Sequence, residues 1–355
     1  MNQECFVTGG SGFIGQHLLA LLTRKGHPVT LLMRAPQRLP ALREQVEQLG
    51  GRGELLSAVA GDLASPGLGL DAPARERVRQ AAVVFHLGAQ FAWGLSVEQA
   101  RAVNVEGALA VAELAASQGS RLLMAGGFML ANHQHLQRLG IDLQTPSRTD
   151  WDQVYRRIGA YEGSKLEAHF RVLARMAERA AALTVVHPAT VCGHSRSGHI
   201  LATQPLAGLI GNLADGVLSA IPGSAAHWLP LVSVDFLVEL MLAAAFDSEQ
   251  VGREILALDE RTPNLQGVVQ LLAGVLGVAA PRRHVPIALL RLLLKIPGLP
   301  KLLRTEVESL DFIQSTRFDT AATQALARQH QLLWPDIAQA IQATARYLAS
   351  KPSAV

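Results

Sequence analysis

Val7-Thr8-Gly9-Gly10-Ser11-Gly12-Phe13-Ile14-Gly15 lies between a short apolar run, Cys5-Phe6-Val7, and an amphipathic run, His17-Leu18-Leu19-Ala20-Leu21-Leu22. That order reads as strand, tight turn and helix. In this context the spacing of Gly9, Gly12 and Gly15 marks a dinucleotide-binding turn. Gly9 would allow the turn, Gly12 would let backbone N–H groups approach a diphosphate, and Gly15 would let the helix pack closely on the sheet. The diphosphate would sit at the helix N-terminus, where unpaired N–H groups and the helix dipole favour an anion. An ordinary glycine-rich turn is the competing reading, and the flanking strand and helix weigh against it.

Working outward, Val29-Thr30-Leu31-Leu32-Met33-Arg34 reads as the second strand, and its end bears on which dinucleotide is bound. An acidic residue there would take the adenosine ribose hydroxyl, whereas arginine suits a 2′-phosphate. The acidic place holds Met33, followed by Arg34 and Arg38, which predicts NADPH. The plain alternative is two solvated arginines. Leu55–Ala60 followed by Gly61-Asp62-Leu63 reads as a third strand ending in a carboxylate placed to accept from an adenine amino group. Residues 64–80 are polar and helix-like. The continuous apolar run 81–89 is that of a parallel strand buried on both faces, and His86 at its end reads as a packed histidine rather than a metal ligand.

A helix is expected over 97–116, carrying Asn104-Val105-Glu106-Gly107. Arg121–Ala125 is a fifth strand running into Gly126-Gly127-Phe128, and residues 132–152 read as polar and loop-rich, with Pro146 breaking any long helix. Helix-period residues surround Tyr161-Glu162-Gly163-Ser164-Lys165, and Leu183–Val186 is a further strand ending at His187-Pro188. Beyond it the composition shifts to glycines, prolines and short helices, as expected of a substrate-facing domain. The Leu-rich, basic run Ile287–Ile296 is too short and too charged to span a bilayer. It is expected to be a core-packing helix in preference to a lipid-facing or lid helix.

The chain has 355 residues, 49% hydrophobic and 17% charged, which suits a well-buried α/β enzyme of two domains. A net charge of +3 without a dense basic block argues against nucleic acid as partner. Two cysteines, Cys5 and Cys192, offer neither a disulfide framework nor a metal-ligand set. With the glycine turn so near the first residue, no signal peptide is expected, and the location expected is cytoplasmic.

Tyr161 and Lys165 stand at i and i+4 and share one helix face. A free phenol, with a pKa of about 10, is a poor proton donor and acceptor at neutral pH. An adjacent ammonium is expected to favour the phenolate and bring it towards a working range.

These motifs, with His86-Leu87-Gly88-Ala89 and His187-Pro188-Ala189-Thr190-Val191, occur in the order and spacing of extended short-chain dehydrogenases/reductases, which the chain resembles over nearly its whole length. The resemblance implies a Rossmann-type, doubly wound parallel sheet over 1–188, with 229–256 returning to it, and a smaller substrate domain over 189–228 and 257–355. It implies NADP(H) bound by Gly9, Gly10, Ser11, Gly12, Phe13, Ile14, Gly15, Arg34, Arg38, Asp62, Leu63, Leu87, Gly88 and Ala89, with Pro188 and Val191 beside the nicotinamide. Tyr161 would be the proton donor and acceptor, Lys165 would hold the nicotinamide ribose, and Asn104 would support a proton relay. A homodimer through the helices beside the fourth and fifth strands follows by analogy.

Gly193-His194-Ser195-Arg196-Ser197-Gly198 and Leu229–Asp235 are similar to stretches of the thioester- and fatty-acyl-reductase branch, with His194 in place of an Asp. That branch implies a small hydrophobic carbonyl or acyl-thioester substrate. A hydroxysteroid-type or sugar-nucleotide dehydrogenase or epimerase is the enzymatic alternative, with Arg282, Arg283 and Arg291 as candidate diphosphate ligands. One departure stands out: the family's Ser or Thr at the end of the fifth strand falls on Gly126 or Gly127. Either backbone N–H groups around Gly126, Gly127 and Phe128 replace that donor, less readily Asn132 or His133, or the glycines make room for a bulky substrate. A non-catalytic NADPH-binding regulator is the reading from outside enzymology.

Overall fold

A computed structural model of the protein describes residues 2–90 and 95–351. The apolar runs become strands: β1 (Cys5–Thr8), β2 (Val29–Met33), β3 (Leu56–Ala60), β4 (Val83–His86), β5 (Arg121–Ala125) and β6 (Leu183–Pro188). Further on come β7 (Thr190–Cys192), β8 (Ile221–Pro222), β9 (Leu231–Ser233), β10 (Glu254–Ala257) and β11 (His284–Val285). The chain divides into two compact units, the first holding residues up to His187 with Val238–Leu256, the second Pro188–Leu237 and residues from Ala257 on. The return to the first unit begins at Val238 rather than at Leu229 as expected, because β9 pairs with β7 in the second unit.

The first unit is built on a seven-stranded sheet in the order β10-β6-β5-β4-β1-β2-β3. All pairs from β3 to β6 are parallel, so connections must cross over the faces, and helices supply them. They are α1 (Phe13–Arg24), α2 (Leu39–Gln48), α3 (Ala72–Val78), α4 (Val97–Ala100), α5 (Gly107–Gln118), α6 (His133–Leu139), α7 (Trp151–Ile158) and α8 (Ala160–Glu178). On one face Phe6, Val84, Leu122, Met124 and Val185 of the sheet meet Val111 and Ala115 of α5 and Val172 and Met176 of α8. Each large side chain so buried contributes about 1.5–3 kcal/mol. Strand order reverses between β1 and β4, the place where such sheets open a crevice at the strands' carboxyl ends.

Two segments differ from expectation. The helix foreseen over 97–116 is broken by a π-helical stretch, Arg101–Glu106, which holds Asn104. The loop-rich stretch foreseen over 132–152 has no long helix but does contain two short ones either side of Pro146, α6 and the start of α7, capped by the side chains of Asn132 and Asp150. These helices bury Leu136, Leu139, Val154 and Ile158 with Leu166 in a small core of their own. Two turns are too few for a periodic apolar face to stand out from a polar background.

In the second unit, α9 (Pro205–Ala214), the start of α10 (Val234–Phe246), α11 (Leu265–Leu276), α12 (Ile287–Leu293), α13 (Leu299–Leu303), α14 (Ala321–Gln329) and α15 (Ile337–Ala349) surround β7–β9 and β8–β11. The core-packing role expected of 287–296 is found only at Leu294, which is 4% exposed just past the end of α12. No residue of α12 is buried, and Leu289, Leu292, Ile296 and, in α13, Leu302 are 46–70% exposed. Leucines on every side of a short helix leave no stripe from which burial can be read. Among the described residues no helix is long and apolar enough to cross a membrane.

Candidate active site

Gly9 has φ +74°, and a Cβ there would lie 2.6 Å from the Gly88 nitrogen, so the turn after β1 rests directly on the end of β4. Thr8 holds the two together: its Oγ1 is 2.7 Å from His86 Nδ1 and accepts the Gly88 N–H at 3.3 Å. His86 is therefore a packed residue, pushed down to about 3 by burial and then by Lys165, and it stays neutral. Gly15 works differently from expectation. A Cβ there would stand 2.2 Å from the Gly9 carbonyl oxygen, so it seats α1 on the turn itself. Gly10 packs against Leu31, and Gln16 Nε2 donates to the Ser11 carbonyl at 3.0 Å. Ser11 and Gly12 are exposed, Phe13 is buried and Ile14 half-buried, and α1 starts without a side-chain cap. An open glycine edge before uncapped N–H groups fits a diphosphate.

Arg34 and Arg38 are exposed and make no ion pair among the described residues. Asp62, half-buried, spends Oδ1 on the Ala64 N–H at 3.0 Å, and Leu63 packs against Gly107 and Gly88. Leu87 is half-buried and donates its N–H to the Thr8 carbonyl at 3.2 Å, beside buried Gly88 and exposed Ala89.

On α8, Lys165 Nζ donates to the Ala125 carbonyl at the end of β5, at 2.8 Å. Burial lowers Lys165 to about 8. Tyr161 moves opposite to expectation: burial, and then the charge of Glu162, push it up to about 12. In the protein alone, desolvation of the phenol is the larger of these two causes. Glu162, which sequence reasoning passed over, is 2.8 Å from His135 Nε2 on α6.

Asn104 is buried in the π-helical stretch, a kind of distortion common at functional sites. Its Oδ1 accepts the Gln90 N–H at 2.7 Å, and its Nδ2 donates to Ser164 Oγ at 2.9 Å. Ser164 Oγ in turn donates to the Tyr161 carbonyl at 2.8 Å, a link that its place three residues after Tyr161 made findable.

The two glycines after β5 are not equivalent. Gly126 is locked in: its N–H donates to Val186 at 2.8 Å, and a Cβ would stand 2.2 Å from His187 Nδ1. Its N–H is thus spent on the sheet and does not replace a missing hydroxyl. Gly127 has extended backbone, φ −159°, and a Cβ there would meet nothing within 4 Å. Asn132 commits its Oδ1 to the His135 N–H at 3.0 Å as the cap of α6, and His133 is exposed.

Within the second unit, Pro188 is half-buried and Val191 buried at the centre of β7. The two branch-like stretches are knit together there: β7 pairs with β9, and Asp235 accepts from the Ser195 N–H at 3.0 Å and from its hydroxyl. His194 does locally what an Asp does in a turn, its Nδ1 accepting the Arg196 and Ser197 N–H groups at 3.2 and 3.4 Å. Arg291 is paired with Asp311, while Arg282 and Arg283 are exposed.

Residues 7–241 match the family described as Male sterility protein, well over half of the chain. The chain is 26% identical over 292 residues to the non-canonical nonribosomal peptide synthetase hkm10 of Aspergillus hancockii, a match covering 77% of the chain and 28% of that protein. It is 27% identical over 265 residues to aldehyde reductase lnaA of Aspergillus flavus, covering 70% of the chain and 25% of that protein. The chain thus spans about a quarter of the length of these curated relatives. The terminal R domain from the myxalamid PKS-NRPS biosynthetic pathway shares the fold, with TM-score 0.76 at 19% identity, covering 98% of the chain and 90% of that domain. Family match, sheet order and the sequence of motifs agree: the chain belongs to the Male sterility protein family, NAD-binding reductase domains of the extended short-chain dehydrogenase/reductase type.

Proposed function

We propose that the chain is an NADPH-dependent reductase acting on a hydrophobic carbonyl compound or acyl thioester. The observation that carries this is the set Tyr161, Lys165, Ser164 and Asn104, linked through β5 and the π-helical stretch in the same unit as the glycine cradle. When bound, the reduced nicotinamide supplies hydride to the carbonyl carbon. Tyr161 gives its hydroxyl proton to the developing alkoxide, and a phenol raised to about 12 is fully protonated at neutral pH, as reduction requires. Lys165 holds the nicotinamide ribose, with Arg34 and Arg38 at the 2′-phosphate and Asp62 at the adenine. Asn104 supports the path that returns a proton to Tyr161. For a thioester, the hydride adduct would collapse as its oxyanion, re-forming C=O as the aldehyde while the C–S bond breaks, and the proton of Tyr161 would go to the departing thiolate instead of to the alkoxide. A cytoplasmic location and a homodimer belong to the same reading.

The sugar-nucleotide alternative loses one of its three basic ligands, since Arg291 is committed to Asp311. Gly127 keeps the regulator reading in play. The deciding experiment follows NADPH oxidation with acyl thioesters, ketones and sugar nucleotides in parallel. Consumption with a long-chain thioester and formation of aldehyde is expected. Binding of NADPH without consumption in any arm would make the chain a regulator.

A further inference from the structure

The edge of the sheet carries a cluster that the reductase reading does not use. His169 lies on α8 one turn after Lys165, His187 lies on β6, and Glu254 opens the edge strand β10. His187 Nε2 is 2.7 Å and His169 Nε2 3.4 Å from the same carboxylate oxygen, Oε2 of Glu254. One donor atom from each residue lies within 4.8 Å of the others. Both imidazoles are 3% exposed, whereas the Glu254 side chain is 44% exposed, so the cluster opens to solvent at the carboxylate.

Hydrogen bonding serves this arrangement poorly. Nδ1 of His169 and Nδ1 of His187 are both buried without a partner, and one carboxylate oxygen faces two rings. Buried polar atoms left unpaired destabilise a fold, and binding of an ion is a standing explanation for such groups.

We propose that His169, His187 and Glu254 form a zinc site, with water from the solvent side completing a tetrahedron. Two imidazoles and a carboxylate are a donor set of borderline softness that suits zinc. Ligands at about 2.0–2.2 Å from the ion stand roughly 3.3–3.6 Å apart. The His169 contact already has that spacing, and the His187 contact reaches it by a small outward turn of the exposed Glu254 side chain. Bound there, the ion would tie α8, the helix of Tyr161 and Lys165, to β6 and the free edge of the sheet. The proposal does not depend on the reductase reading, because its readouts need no turnover.

The test uses the full chain without a histidine tag, stripped with chelator, loaded with zinc and dialysed. Elemental analysis is expected to find one zinc per chain, and cobalt(II) alone to give the intense visible bands of a tetrahedral site. Glu254→Gln keeps the size of a partly exposed side chain while removing its charge, and should keep the fold by circular dichroism, yet weaken zinc at least about tenfold. His169→Gln should do the same, and zinc should raise the thermal midpoint of the wild type only. No retained zinc in the wild type, or equal retention by wild type and Glu254→Gln, overturns the proposal: the first leaves a hydrogen-bonded cluster, the second places the ion elsewhere.

Discussion

Gly127→Ser puts a side chain where the structure has room for one. The backbone is extended at φ −159°, open to any residue, and an added Cβ meets nothing within 4 Å. Folding should therefore change by no more than about 0.5–1 kcal/mol, towards stability if at all, because the substitution restricts the unfolded chain. The chemical effect is larger. A hydroxyl aimed at the substrate carbonyl is worth about 10²–10³ in rate, or roughly 2.7–4 kcal/mol. If the chain lacks that donor, Gly127→Ser should raise kcat for thioester-dependent NADPH oxidation by one to three orders of magnitude with KM little altered. Gly127→Ala is the control, since it fills the same space without donating. Gly126→Ser is the opposite control, because its Cβ would stand 2.2 Å from His187 Nδ1 and overpacking costs about 1–3 kcal/mol. Equal loss of activity in Gly127→Ser and Gly127→Ala would refute the reasoning, and would mean that the glycine makes room for substrate.

Tyr161→Phe should lower turnover at least about tenfold, as loss of a general acid does; unchanged turnover in stopped-flow assays removes Tyr161 from the mechanism. Lys165→Met should weaken NADPH binding yet raise the melting temperature of the cofactor-free chain at pH 7. Burial lowers Lys165 from 10.5 to about 8, so the folded chain holds this proton less well than the unfolded one, and the ammonium weakens the fold below pH 8. The stabilising margin should narrow as pH climbs from 8 to 10.5, and a margin indifferent to pH in calorimetry contradicts the assignment. Arg34→Glu should cut kcat/KM for NADPH by about tenfold to a hundredfold while sparing NADH, as loss of a charge-assisted contact predicts; parallel losses with both coenzymes would show that Arg34 does not read the 2′-phosphate. His194→Asp should leave chemical denaturation nearly unchanged, whereas His194→Ala should cost about 0.5–2 kcal/mol by orphaning two turn N–H groups.

The nucleotide-binding half was readable because its signals are local. Continuous apolar runs mark strands buried on both faces, and a glycine turn between strand and helix has few other uses. What escaped is either short or assembled across the chain. Helices α6 and α7 have two turns each and owe their ends to Asn132 and Asp150 rather than to periodicity. The π-helical stretch around Asn104 leaves no mark in composition, and the exposure of α12 cannot be told from burial when every face carries leucine. The rise of Tyr161 follows first from burial of the phenol, which a local motif does not show, and then from Glu162, the next residue along the chain. His169, His187 and Glu254 come from a helix, an inner strand and an edge strand, so no spacing motif announces them.

The fit between Gly126 and the imidazole of His187 bears on how such chains diverge. A methyl group at 126 and a ring at 187 compete for one volume, so the two positions are free to change only in concert. A homologue with alanine or serine at the first place should carry a smaller residue at the second, and with it give up the partner of Glu254. Paired substitution at 126 and 187 across an alignment is the evolutionary trace this contact should leave, and independent drift would show that the sheet yields there.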